Sequence, residues 1–197
     1  MIALDALRAG DSFDDALVDG HDLQGFDFAG KDFVRCTFRN ANLQSSLWAG
    51  ARLEECVFEG CDLSRMVPAE MKAHGVRFKR CKISGVEFTR LSLSPELAFE
   101  DCNLRYSSFV DVSLRETPFV RCQAQEANFI GVDLTGADFS GSELAGSTFE
   151  GATLAKADFT TANGAFLDPA KNKVRGVRVG PESATLLASS FGMKVEG

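Results

Sequence analysis

Large apolar residues recur along most of this chain at every fifth position. The stretch ANFIGVDLTGADFSGSELAGSTF, residues 127–149, places Phe, Leu, Phe, Leu and Phe at positions 129, 134, 139, 144 and 149. From residue 23 to residue 159, with one extra residue at SPELA, 25 of 28 such central positions carry a large apolar side chain. Neither the 3.6-residue period of an amphipathic helix nor the two-residue period of a strand produces this spacing.

A second position in most five-residue units carries a small residue. Two residues before the central residue, 21 of 28 units carry Ala, Ser, Cys, Thr or Val, and all six cysteines stand there. Two inward residues separated by one outward residue make a short extended segment. The next inward residue comes three positions later, so a corner must follow, and Gly, Asp, Asn and Ser tolerate the turn dihedrals. The pattern predicts a chain that winds around an axis with one side per five residues.

The units VDLTG, ADFSG and ADFTT resemble the pentapeptide-repeat family over residues 22–163. The resemblance implies an all-β fold, a right-handed quadrilateral β-helix with four units, or 20 residues, per coil. Twenty-eight units would make seven coils, and a spacing of about 4.8 Å gives a rod roughly 34 Å long. Three cysteine pairs, each separated by 20 residues, support stacking on common faces: Cys36 with Cys56, Cys61 with Cys81, and Cys102 with Cys122.

The ends of such a solenoid need caps, because their backbone edges are otherwise free to pair. We expect residues 1–20 to form the N-terminal cap, 21–163 the β-helix and 164–197 a C-terminal strand and helix. Lys31 occupies an inward position, and the cost of burying an unpaired charge predicts that this corner opens to solvent. The segment Ser64–Gly75 keeps the five-residue phase, which favours distorted coil over a projecting loop. SPELA should form a one-residue bulge.

The sequence GPESATLLASSFG is typical of a short helix that begins near Pro181 and stops at Gly192. The C-terminal region resembles the end module of quinolone-resistance (Qnr-type) and albicidin-resistance pentapeptide proteins, and the missing loop favours the latter type. That resemblance implies a homodimer of two rods joined end to end. The residues assigned to the dimer contact are Leu186, Leu187, Phe191, Met193 and Val195. The alternative is a helix that only caps its own coil.

Composition and charge exclude several classes of function. The net charge of −7 and pI near 4.9 argue against direct nucleic-acid binding. No apolar run is long enough for a membrane span, and the acidic start lacks a secretory n-region, so we expect a cytoplasmic protein. His21 and His74 are the two histidines, and no catalytic, metal-binding or cofactor motif accompanies them. We predict no enzyme activity, no metal and no cofactor, with the cysteines serving as small core fillers.

Charge is unevenly distributed along the chain. Residues 123–168 hold seven acids against Lys156, and five of them are predicted to form an acidic partner-binding face: Asp133, Asp138, Glu143, Glu150 and Asp158. The opposite sign prevails in the basic zone, residues 65–90. Its seven bases are Arg65, Lys72, Arg77, Lys79, Arg80, Lys82 and Arg90.

Two functions are compatible with these features. The resemblance implies a DNA mimic that binds a type II topoisomerase, DNA gyrase or topoisomerase IV, and protects it from a toxin or antibiotic. Its acidic residues would then act as a field rather than as site-by-site chemistry. The alternative is a non-enzymatic interaction scaffold with an unrelated partner, bound through the basic zone around VRFKRCK.

Overall fold

The computed structural model describes residues 2–89, 91 and 94–195, and most of them wind into one parallel solenoid. Strand residues of one turn mostly pair with residues 20 positions further along, as Phe38 pairs with Phe58. Four such ladders begin at five-residue intervals along the first turn, so each turn has four sides. The predicted fold class, a pentapeptide-type β-helix, is confirmed.

The regular elements are short because each side of the solenoid is one repeat unit long. The two helices are α1 (Leu4–Ala9) and α2 (Pro181–Ser190). The strands are β1 (Ser12–Asp14), β2 (Leu17–Asp19), β3 (Asp32–Val34), β4 (Thr37–Arg39), β5 (Arg52–Glu54), β6 (Val57–Glu59), β7 (Lys72–His74), β8 (Val76–Lys79), β9 (Glu87–Thr89), β10 (Leu97–Glu100), β11 (Ser108–Val110), β12 (Phe119–Val120), β13 (Asn128–Ile130), β14 (Thr148–Glu150), β15 (Asp158–Phe159) and β16 (Arg178–Val179).

The four sides of the solenoid are named faces A to D in chain order. Face A carries β1, β3, β5 and β7, and face B carries β2, β4, β6, β8, β10 and β12, followed by β15 and β16. Face C is a column of single bridges that runs from Asp22 to Asn163. Face D carries β9, β11, β13 and β14. Face A therefore lies opposite face C, and face B opposite face D.

The interior is filled by ladders of stacked rings. On face B, each Phe from Phe38 to Phe159 stacks on the next, with ring centroids 4.5–5.2 Å apart. Two of the three interruptions of the repeat, Pro68 and Ala73, are adjacent units and stay buried in the coil. Met66 and Met71, at the preceding inward positions, are buried beside them and supply the missing volume. The segment Ser64–Gly75 thus remains in the coil, as predicted.

The one-residue insertion is also confirmed. Phe78 pairs with Phe99 and Phe88 with Phe109, a register of 21 residues, whereas the turns before and after keep 20. The predicted central residue Leu93 lies outside the described residues.

The solenoid begins earlier than the sequence indicated. β1 and β2 already pair with β3 and β4, because Phe13 and Val18 are buried at central positions of the repeat. The cap reduces to α1, whose Leu7 is fully buried. The expectation for Lys31 was wrong: its side chain is buried, and its Nζ donates to the Gly10 carbonyl at 2.5 Å.

The solenoid also ends later than predicted. Asp158 pairs with Arg178, so residues 164–179 form a further turn below residue 163. From Ser12 to Val179 the chain makes about eight turns rather than seven. At a spacing of about 4.8 Å per turn the rod is roughly 38 Å long. Neither helix in the described part of the chain has the length and apolar character needed to cross a membrane.

Candidate protein-interaction surface

The structure does not bring the five predicted acidic residues together on one face. Asp133 lies on face A, Glu143 on face C and Glu150 on face D, while Asp138 and Asp158 stack in one ladder on face B. The reason is the repeat itself, since residues five positions apart occupy successive sides of the turn. The acidic residues therefore surround the last turns of the rod instead of forming the predicted acidic face.

Three of these acids have a structural task within the turn. The carboxylate of Asp138 accepts the backbone N–H of Ser140 at 2.9 Å, and Asp133 and Asp158 accept the N–H two residues ahead in the same way. Asp is favoured in such turns because its side chain satisfies a backbone donor locally. Replacement of these acids by a cation would thus remove a turn contact as well as a charge.

Two of the acids are also paired with arginines. Arg115 contacts Asp133, and Arg178 contacts Asp158, each at 3.0 Å. Partial burial favours a higher pKa for Asp133, but the hydrogen bonds from Thr135 and the charge of Arg115 outweigh it and lower the pKa below its ordinary value. Both arginine pairs reduce the negative field of the surface.

Within the described residues, the remaining three acids have no cationic partner. Asp138 is bonded to Ser140, Glu143 accepts from the amide of Asn163 at 2.8 Å, and Glu150 is exposed on its face. They occupy faces B, C and D. The free negative charge of the last turns therefore covers three sides of the rod, and face A lacks it.

The basic zone carries less free charge than its sequence suggests. Lys79 contacts Glu100, Arg80 contacts Glu59 and Lys82 contacts Asp62, all across neighbouring turns. Within the described part of the chain, three of its bases have no carboxylate partner: Arg65, Lys72 and Arg77. Arg90 lies outside that part. Local pairing weakens the idea that VRFKRCK is an open cationic docking site.

The C-terminal residues predicted to join two rods are mostly exposed. The exposed fractions are 40% for Leu186, 60% for Phe191, 56% for Met193 and 55% for Val195. Leu187 is half-buried instead and lines a cavity of about 160 Å³ at the end of the last turn. α2 thus covers its own coil with one side and leaves apolar side chains on the other.

Face D has an outer surface unlike the other three. Leu47 and Val67 point outward in neighbouring turns there with about two-fifths of their surface exposed, accompanied by the small residues Ala49 and Ala69. Ile130 is equally exposed but lies three turns further along, beyond the polar Glu87 and Ser108. Sequence reasoning missed the stripe formed by Leu47 and Val67. Exposed apolar surface of this kind is a common feature of interaction sites.

The described residues include six cysteines and two histidines. The six cysteines are buried and free, and four of them continue as one column along face C: Cys61, Cys81, Cys102 and Cys122. No group of three or more His, Cys, Asp or Glu side chains among these residues is arranged to hold a metal ion.

These features define a four-sided solenoid built from five-residue units, with both charged and apolar residues on its outer surface. The chain belongs to the pentapeptide-repeat family, since the family model described as a pentapeptide repeat region matches residues 31–106 and 95–159. Comparison with curated protein sequences gives no significant match.

Solved structures of QnrB1, a plasmid-mediated fluoroquinolone resistance protein, are similar to this chain. A trypsin-treated variant superposes with a TM-score of 0.64 at 22% identity, over 94% of this chain and 100% of that chain. A second trypsin-treated variant gives 0.52 at 27% identity, over 94% and 90%. The full-length form gives 0.53 at 20% identity, over 92% and 100%.

Proposed function

We propose that this protein binds a type II topoisomerase, DNA gyrase or topoisomerase IV, and protects it from a toxin or antibiotic. The single observation that carries the proposal is the unpaired negative charge on three sides of the last turns of a rigid rod. Duplex DNA is likewise a rod with negative charge around its circumference. A cationic groove that holds DNA would attract such a surface as a field. The similarity to QnrB1, a fluoroquinolone resistance protein, supports this choice.

The same proposal includes a homodimer. The exposed side chains of Leu186, Phe191, Met193 and Val195 form an apolar end to the rod, which a second copy could cover. Two rods of roughly 38 Å joined end to end would span roughly 77 Å at the same spacing. The acidic turns would then flank the centre of the dimer. The partner enzymes are cytoplasmic, and six free thiols suit a reducing compartment.

Neutralisation of the free acids tests the partner surface. The variant Asp138→Asn, Glu143→Gln, Glu150→Gln removes three charges but leaves an acceptor at position 138 for the Ser140 N–H. It should lose most of the ability to inhibit gyrase, or to rescue it from a poison, in a supercoiling assay. The matched control is Glu54→Gln, Glu55→Gln, Glu87→Gln, three exposed acids far from the last turns. Equal activity of the two triple variants, or indifference of both enzymes to micromolar protein, would refute the proposal.

The dimer has a separate test. Phe191→Glu places a charge on the exposed apolar end and should convert the dimer into a monomer in analytical ultracentrifugation. Tyr106→Glu alters a residue that is equally exposed, at 62%, but lies at mid-rod, and it should leave the dimer intact. A wild-type protein that sediments as a monomer at micromolar concentration would exclude the end-to-end arrangement.

A second function, a scaffold for an unrelated partner, is favoured by one observation. The apolar stripe of Leu47 and Val67 on face D has no role in topoisomerase binding as proposed above. If neither gyrase nor topoisomerase IV binds, this stripe replaces the acidic turns as the candidate contact. Val67→Lys should then abolish partner binding, whereas the acid-neutralised variant should retain it.

A further inference from the structure

The last two turns of face A carry four exposed bases and no acid. Lys173 and Arg175 flank the inward Val174, and Lys173 bridges to Thr153 of the turn above. Lys171 stands at the preceding corner. Lys156 stands at the following corner of the turn above, with its Cγ 3.7 Å from where a Cβ on Gly176 would lie. Three of these bases directly follow residues 123–168, the acidic part of the sequence.

These four bases are not neutralised by nearby carboxylates. In the described part of the chain no salt bridge involves any of them. Asp133 and Asp158 are already paired with Arg115 and Arg178, while Asp168, three residues before Lys171, lies on the Lys171 side of the patch. The local charge of this patch is therefore positive, although the chain as a whole is acidic.

The unpaired acids lie outside this patch. Glu143 is on the opposite face C, whereas Asp138 and Glu150 are on the adjacent faces B and D. One side of the rod is about three residues, or roughly 10 Å, wide. The Debye length at physiological ionic strength is about 8 Å, so the charge of Glu143 is largely screened. Glu150 precedes Gly151, whose N–H donates to the Lys171 carbonyl, so the attraction for an anion rests mainly on Lys156, Lys173 and Arg175.

We propose that Lys156, Lys171, Lys173 and Arg175 bind the phosphate backbone of a nucleic acid. Neighbouring outward positions are about 6.6 Å apart along a strand and about 4.8 Å apart between turns, so the charges form a flat, regular array. A periodic polyanion can contact several of them at once, and Lys and Arg are the usual phosphate ligands.

An acidic protein segment fits this patch less well than a nucleic acid does. The outward residues between the bases are Thr153 and Ala155, which offer no exposed aromatic or large aliphatic anchor. Protein partners usually bind through such anchors, whereas contact with a phosphate backbone is dominated by charge alone. This proposal departs from the expectation drawn from net charge, which was that the protein does not bind nucleic acid directly. The inference does not depend on the topoisomerase proposal.

The test measures binding of a fluorescein-labelled 20-base-pair duplex by anisotropy at several NaCl concentrations. Four phosphate contacts predict a slope of about −3.6 in log K against log [NaCl], or a loss of about 50-fold between 50 and 150 mM. The variant Lys173→Gln, Arg175→Gln removes two contacts. Its slope should be less steep by about 1.8, and its affinity at 50 mM NaCl weaker by on the order of 100-fold.

The matched control changes net charge equally at another place. Lys79→Gln, Arg80→Gln removes two bases that are paired with Glu100 and Glu59, and it should keep the wild-type slope. Equal losses in both double variants would show a general charge effect and overturn the site. Absence of duplex binding at 25 mM NaCl, with polyglutamate bound instead, would overturn the assignment to nucleic acid.

Discussion

Truncation of Phe119 to alanine tests the ring ladders that hold the rod together. The ring of Phe119 is fully buried and stacks between Phe99 and Phe139, with centroids 5.1 and 4.8 Å away. It also meets Phe109 and Phe129 edge-on at 5.7 and 5.8 Å. Removal of a buried Phe side chain costs about 3–5 kcal/mol. Each aromatic pair contributes about 0.5–1.5 kcal/mol, and Phe119 takes part in four. We therefore expect the free energy lost on Phe119→Ala to be about 5 kcal/mol, the upper end of the range for a buried Phe.

The matched control is Phe13, at the N-terminal end of the stacked side chains on face A. Phe13 stacks on Phe33 alone, at 5.0 Å, and 9% of its surface is exposed. Phe13→Ala should therefore cost less, about 2–3 kcal/mol. Urea unfolding followed by circular dichroism gives both free energies, provided that the m-value stays constant.

The comparison can refute the ladder argument. If Phe119→Ala destabilises the protein no more than Phe13→Ala does, the stacked rings at mid-rod contribute no more than an end rung. Should Phe119→Ala fail to fold, Phe119→Leu replaces it, with an expected cost of about 1–2 kcal/mol. A cost near zero for that variant would contradict the argument equally.

Three further predictions concern single side chains. Because the pKa of Asp133 is below its ordinary value of 3.8 in the folded state, its stabilising contribution exists above that value and is lost as pH falls through the lowered pKa. The stability difference from Asp133→Asn should shrink between pH 5 and pH 2 in urea unfolding, and a constant difference would contradict this. The hydrogen bonds between neighbouring thiols, together with burial, raise the pKa of Cys81 and Cys102 to about 12, so neither should react with a thiol reagent at pH 8 until guanidinium unfolds the chain. Asp158→Ala should destabilise the rod by about 1 kcal/mol more than Asp158→Asn in thermal melts, since it leaves the Thr160 N–H without its acceptor.

The core was predictable because its signal is strictly periodic. Central residues such as Phe109 and Phe129 differ by one turn and need no tertiary information to be placed in one ladder. The ends were harder to predict. Phe13 was missed because Asp11, two residues before it, breaks the small-residue rule, and the last turn was missed because Pro169 and Val174 replace the usual Phe and Leu.

The candidate surface was predicted only in part. A five-residue step already implies that Asp133, Asp138 and Glu143 lie on three different sides, so the sequence contained the correction to the acidic face. The arginine pairs were not accessible in the same way. Whether Arg115 reaches Asp133, 18 residues away, depends on side-chain direction between neighbouring turns, which the repeat pattern does not encode.

Competition with DNA for DNA gyrase tests directly whether the acidic last turns of the rod bind where the enzyme holds DNA. Labelled duplex bound to the enzyme at 150 mM NaCl would be titrated with this protein in the Lys173→Gln, Arg175→Gln background, so that direct contact with DNA does not confuse the result. We expect the protein to displace the duplex. Adding Asp138→Asn, Glu143→Gln and Glu150→Gln should raise the protein concentration required for displacement roughly tenfold, which corresponds to about 1.4 kcal/mol of binding free energy. Stable binding of protein and duplex to the enzyme at the same time, with no displacement, would contradict it.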